Sequence, residues 1–74
     1  MLNLFRLKKK DFVIFPNPVH NILTIGTEPV DYIVTDLAGN QMKRGFGTDV
    51  NVAALSSGVY FVNVGTQVAK FIKE

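Results

Sequence analysis

Breaks in regular structure recur roughly every ten residues in this chain, and that spacing constrains its fold more than any other feature. They fall at Pro16-Asn17-Pro18, Thr27-Glu28-Pro29, Gly39-Asn40, Gly45-Phe46-Gly47, Ser56-Ser57-Gly58 and Gly65-Thr66. No helix of useful length fits between them, whereas the intervening runs are rich in Val, Ile, Phe, Tyr and Thr, which suit a pleated, half-buried surface. A first strand is expected over 11–15, stopped by two prolines that can neither continue a helix nor donate to a ladder. A second covers 21–26, with Leu23 and Ile25 inward and Ile22 and Thr24 on a shallower face. A third covers 31–36 and turns at Leu37-Ala38-Gly39-Asn40; a short fourth covers Gln41, Met42 and Lys43 before a loop at Gly45-Phe46-Gly47 interrupts it. A fifth covers 49–52, with Val50 and Val52 on one face.

The longest β-prone run is Val59-Tyr60-Phe61-Val62-Asn63-Val64, released by the Ser-Ser-Gly turn in which Gly58 is expected. A tight connection at Gly65-Thr66 then leads into a last strand over 67–73, so the chain is predicted to close as a hairpin. The sum is an all-β, seven-stranded antiparallel β-sandwich. Its predicted core is Phe12, Ile14, Leu23, Ile25, Tyr32, Val34, Leu37, Val50, Val52, Leu55, Tyr60, Val62 and Val64. The last strand is ambiguous: Val68 and Ile72 share a face with Lys70, while Ala69 and Phe71 share one with Lys73.

A chain of 74 residues makes one small domain, and 47% hydrophobic against 19% charged residues argues for a packed core. Without cysteine there are no disulfides, no thiolate chemistry and none of the usual zinc sites. The formal charge of +2 owes much to Lys8, Lys9 and Lys10 at the margin, so a nucleic-acid partner is not expected. No apolar run reaches the roughly 20 residues of a membrane helix, so no transmembrane segment is expected. Residues 1–10 place apolar side chains before the lysines, the reverse of a signal peptide, and read as a linker, a leader remnant or an appended segment, with the domain at 11–74.

Catalytic equipment is not evident, and the chain is not expected to be an enzyme. His20 is the lone histidine and sits in a polar loop; Ser56 and Ser57 precede a glycine without a base or a Gly-x-Ser-x-Gly frame. Asp31, Asp36 and Asp49 fit no calcium-loop spacing, so neither a metal nor a cofactor is expected. Asp36 is placed to accept backbone N–H groups from the turn that follows it. Lys43-Arg44 with Phe46 is only a faint basic-aromatic pattern and reads as a solvated hairpin end.

Four segments in order carry a resemblance: 15–25 with Phe15-Pro16-Asn17-Pro18, 34–39 with Asp36 and Gly39, 50–62 with Gly58 and Tyr60, and Lys70-Phe71-Ile72-Lys73. Together they resemble the type A C-terminal sorting domain of proteins exported by the type IX (Por) secretion system of Bacteroidetes. The resemblance implies an Ig-like sandwich at the end of a larger cargo. The cargo crosses the periplasm, is directed over the outer membrane by the secretion machinery and reaches the cell surface or medium, and a sortase-like protease removes the domain in many cases. It assigns recognition to Pro16, Asn17, Pro18, Asp36, Gly39, Gly58, Tyr60, Lys70, Phe71, Ile72 and Lys73. Thr35 stands where the family usually has an aromatic, and the removal site would fall around 8–11.

β-Augmentation on an exposed terminal strand, labelled by Lys70, Lys73 and the carboxylate, is a physical route to such recognition, and a free edge of this kind could also let the domain dimerise. The competing reading is an Ig-like interaction or carbohydrate-binding module, for which the chain offers only Phe46, Tyr32 and Phe61 as platforms and no tryptophan.

Overall fold

The computed structural model describes residues 12–74. Among these residues seven strands are formed: β1 (Ile14–Phe15), β2 (Ile22–Ile25), β3 (Val30–Asp36), β4 (Gln41–Gly47), β5 (Asp49–Asn51), β6 (Gly58–Val64) and β7 (Gln67–Lys73). They make two antiparallel sheets, β1-β2-β5 and β4-β3-β6-β7, stacked as an Ig-like β-sandwich. Residues 1–11, including the linker and the removal site expected there, lie outside the described residues.

Side-chain parity builds the core. Leu23, Ile25 and Val50 point inward from the three-stranded sheet, and Tyr32, Val34, Tyr60, Val62 and Phe71 from the four-stranded one; Val52 follows β5 into the same interior. Phe12, Ile14, Leu55 and Val64 pack against this cluster at its margins. Each fully buried aliphatic or aromatic side chain contributes about 1.5–3 kcal/mol by leaving water.

Three expectations are corrected. Leu37 is 68% exposed, because the strand ends at Asp36 and the turn has no inward parity to give it. Gly45-Phe46-Gly47 is no loop: β4 runs through it, held by the pairs Val30↔Gly47, Asp31↔Phe46 and Tyr32↔Gly45. Gly58 lies not in the turn but at the start of β6, paired with Lys73. The ambiguity of the last strand resolves with Phe71 and Lys73 inward and Val68, Lys70 and Ile72 outward.

Two turns follow from their residues. Gly65 has φ +62° and no other residue of the β6–β7 connection has positive φ, so Gly65-Thr66 forms a two-residue II′ turn between the paired Val64 and Gln67. Between β3 and β4 the N–H of Gly39 donates to Asp36 C=O (3.0 Å), and Gly39 at φ +89° lets the chain return so that Asp36 N–H reaches Asn40 C=O (3.0 Å).

Candidate recognition site

The segment between β1 and β2 leaves the three-stranded sheet and lies along the outer edge of β7. Both peptide bonds preceding its prolines are cis. The amide of Asn17 makes a two-way contact there: its Nδ2 donates to Lys70 C=O (3.2 Å) and its Oδ1 accepts from Ile72 N–H (2.9 Å). Two residues on, Val19 N–H donates to Ile72 C=O (2.9 Å) and Val19 C=O accepts from Glu74 N–H (2.9 Å), a parallel bridge beside Lys73. Val19 itself is fully buried. A side-chain amide carries one donor and one acceptor in the same array as a peptide unit, so Asn17 continues the ladder where proline cannot. The terminal edge is therefore closed from Lys70 onward, which corrects the expectation of a freely exposed edge along 67–73.

This geometry divides the motif residues. Tyr60 and Phe71 are core: their rings stack at 5.6 Å with planes 26° apart, and Tyr60 OH donates to Ser56 C=O (2.7 Å). That bond from the start of a strand to the backbone four residues upstream is the tyrosine corner of Ig-like sandwiches, and it pins the Ser-Ser-Gly loop. Lys73 is only 7% exposed, and its Nζ donates to the Glu74 C=O (3.2 Å). Lys70 and Ile72 are exposed on the outer face of the four-stranded sheet beside Val68. Pro16 and Pro18 are exposed in the segment between β1 and β2. The motif's four segments thus supply a clamp, a turn, a corner and one outward strip.

Asp36 is the turn. Its Oδ1 accepts from the N–H groups of Ala38 (2.9 Å) and Asn40 (2.8 Å), and its Oδ2 from Asn40 Nδ2 (3.1 Å). The Asn40 backbone and then side-chain bonds hold its carboxyl below the ordinary value of 3.8. A folded-state pKa below the unfolded one stabilises the fold above the unfolded value, and that stabilisation fades as pH falls through the folded pKa. Asp36→Asn should therefore flatten the decline in urea midpoint below pH 3.8, while an acid limb as steep as the wild type's would remove this role from Asp36.

His20 lies exposed, with Nε2 3.8 Å from a Glu74 carboxylate oxygen. Asn63, on the outer face, donates from Nδ2 to Ile33 C=O (3.0 Å) and to Thr35 Oγ1 (3.2 Å), which ties Thr35 to the neighbouring strand. Sequence reasoning missed Val19 as core and Asn17 as the clamp; the one local signal was a β-branched residue following the prolines. Among the described residues, no group of three or more His, Cys, Asp or Glu is placed to hold a metal ion, and no helix is long and apolar enough to cross a membrane.

The described residues thus form an Ig-like sandwich in which the segment between β1 and β2 clamps the last strand. The family profile of the secretion system C-terminal sorting domain matches residues 13–74, all seven strands of that sandwich, and the chain belongs to this family. It is a C-terminal sorting signal of type IX secretion, which implies an N-terminal cargo and export to the cell surface or extracellular space. No curated protein and no solved structure matches the chain.

Proposed function

We propose that the folded sandwich, rather than a linear tail, is the address, and that the outer-membrane machinery of type IX secretion reads the outward strip of its terminal hairpin after periplasmic transit. The observation that carries this reading is the split within the terminal motif: Phe71 and Lys73 are buried while Lys70 and Ile72 face outward. A linear signal would have no reason to place alternate residues inside. With the β7 edge closed, the contact is made by side chains of the sheet face, Val68, Lys70 and Ile72, and not by strand addition at Ile72. The domain is a passive ligand without catalytic work of its own, and the sortase-like protease acts upstream of β1, where cutting leaves the sandwich intact.

The test separates surface from fold. Lys70→Glu with Ile72→Thr alters only outward positions, so the chain should keep its circular dichroism spectrum and melting midpoint while a fused reporter stays inside the cell. Deletion of residues 70–74 is not informative, since it also removes Phe71. A folded double variant that still delivers the reporter to the surface at wild-type levels would sink the assignment.

A further inference from the structure

Among the described residues four strands form sheet edges, and three are unsuited to pairing with another chain. β1 and β5 contribute two and three residues, and β7 is occupied from Lys70 onward. The outer edge of β4 is the remaining one, seven residues long. The register fixes which of its groups face out. Ile72 turns its N–H and C=O away from β6, so in an antiparallel sheet Phe71 faces β6 and Tyr60 faces β7. Phe61 and Asn63 then face β3, paired with Thr35 and Ile33, and Tyr32 and Val34 face β4, paired with Gly45 and Lys43. The N–H and C=O of Arg44 and Phe46 are left pointing outward. Among the described residues, no hydrogen bond reaches them.

The side chains at this edge add chemistry to the bare ladder. Arg44 and Phe46 stand on the outer face, Phe46 69% exposed, and flank an open concavity of about 460 Å³ shared with Asp31, Ile33 and Asn63. Gly45 between them is kept bare by close approach: a Cβ there would lie 2.5 Å from the Tyr32 hydroxyl. Arg44 makes no ion pair with any described residue.

We propose that the β4 edge is a second docking surface, which takes an extended, acidic-apolar strand of a partner protein as a fifth strand of the four-stranded sheet. The backbone of Arg44 and Phe46 supplies the ladder, the concavity receives one apolar side chain of the added strand, and Arg44 meets a carboxylate on it. Basic residues at an edge commonly serve to discourage self-pairing, and here that charge also selects the occupant. Two copies joined antiparallel through β4 with Arg44 opposite Phe46 would set their Arg44 side chains on a diagonal roughly 7–8 Å apart, a like-charge arrangement that an acidic strand avoids. This surface is at the opposite edge of the sheet from the strip read by the machinery, and the two stand independently.

The experiment uses the 74-residue chain, labelled with ¹⁵N, and two synthetic strand peptides, one alternating glutamate with valine and one alternating lysine with valine. The glutamate peptide should slow hydrogen exchange at the Arg44 and Phe46 amides on the order of tenfold, while the lysine peptide does not. A glutamate peptide N-methylated at alternate residues, which cannot form the ladder, should lose the effect, and Arg44→Glu should transfer the preference to the lysine peptide. Equal response to both peptides, or no change at either amide, overturns the proposal. Protection without peptide that grows with chain concentration also overturns it, identifying a second copy as the occupant. Reporter export plays no part in this measurement, so its outcome is separate from that of the sorting reading.

Discussion

Phe71→Ala should unfold much of the population at physiological temperature. Phe71 is the largest of the fully buried side chains, it stacks on Tyr60, and it sits on a strand that is also an edge. Removing a buried phenyl ring costs about 3–5 kcal/mol from lost transfer energy and residual cavity, a large share of the about 5–15 kcal/mol that holds a small domain folded. The melting midpoint should fall by more than about 10 °C in a circular dichroism scan. Two comparisons give the loss its cause. Tyr60→Phe keeps the stacked rings and loses only the hydroxyl bond to Ser56, about 1 kcal/mol, and Val68→Ala, at a position 57% exposed, should change the midpoint little. Similar losses for Phe71→Ala and Val68→Ala would mean that the inward face of β7 has been assigned to the wrong parity.

That parity shows where sequence reasoning stops. Along most strands one face was apolar and the other polar, so Leu23 with Ile25 and Val50 with Val52 announced their direction. On β7 both faces are apolar, and the decision came from across the sheet: the II′ turn at Gly65-Thr66 pairs Val64 with Gln67, which places Phe71 opposite Tyr60 and inside. The Asp36 turn was legible because its partners lie within four residues. Leu37 misled because hydrophobicity was read past the end of the strand that supplied its parity. Glycines at 45 and 47 were read as a break, but backbone pairing to β3 does not need side chains, and the ring of Tyr32 covers the bare position. Thus local chemistry revealed the strands and turns, while their mutual occupancy depended on contacts between distant segments.

Asn17→Ala tests one of the longest of those contacts, since Asn17 bonds to residues 53 and 55 positions further along. The substitution removes a donor to Lys70 C=O and an acceptor from Ile72 N–H, for a direct loss of about 1–2 kcal/mol, because solvent can reach both groups and satisfy them in part. Its larger consequence concerns association. With the amide gone, the β7 edge presents unpaired backbone groups at Lys70 and Ile72 beside the exposed side chains of Val68 and Ile72, and an open edge of that kind templates pairing with another chain. Sedimentation velocity should detect concentration-dependent dimers or larger species in Asn17→Ala at concentrations where the wild type should stay monomeric, and the Ile72 amide should exchange faster in the dilute variant. Val19 would still hold Glu74 N–H and Ile72 C=O, so the opening is confined to the stretch before it. Asn17→Asp separates the two halves of the clamp: it keeps an acceptor for Ile72 N–H but turns a donor into a repelling oxygen at Lys70 C=O, and should be intermediate in exchange. If Asn17→Ala remains monomeric at every concentration and Ile72 keeps its protection, the edge is closed by the backbone of Val19 alone, and strand addition at the terminal hairpin is prevented by something other than the asparagine.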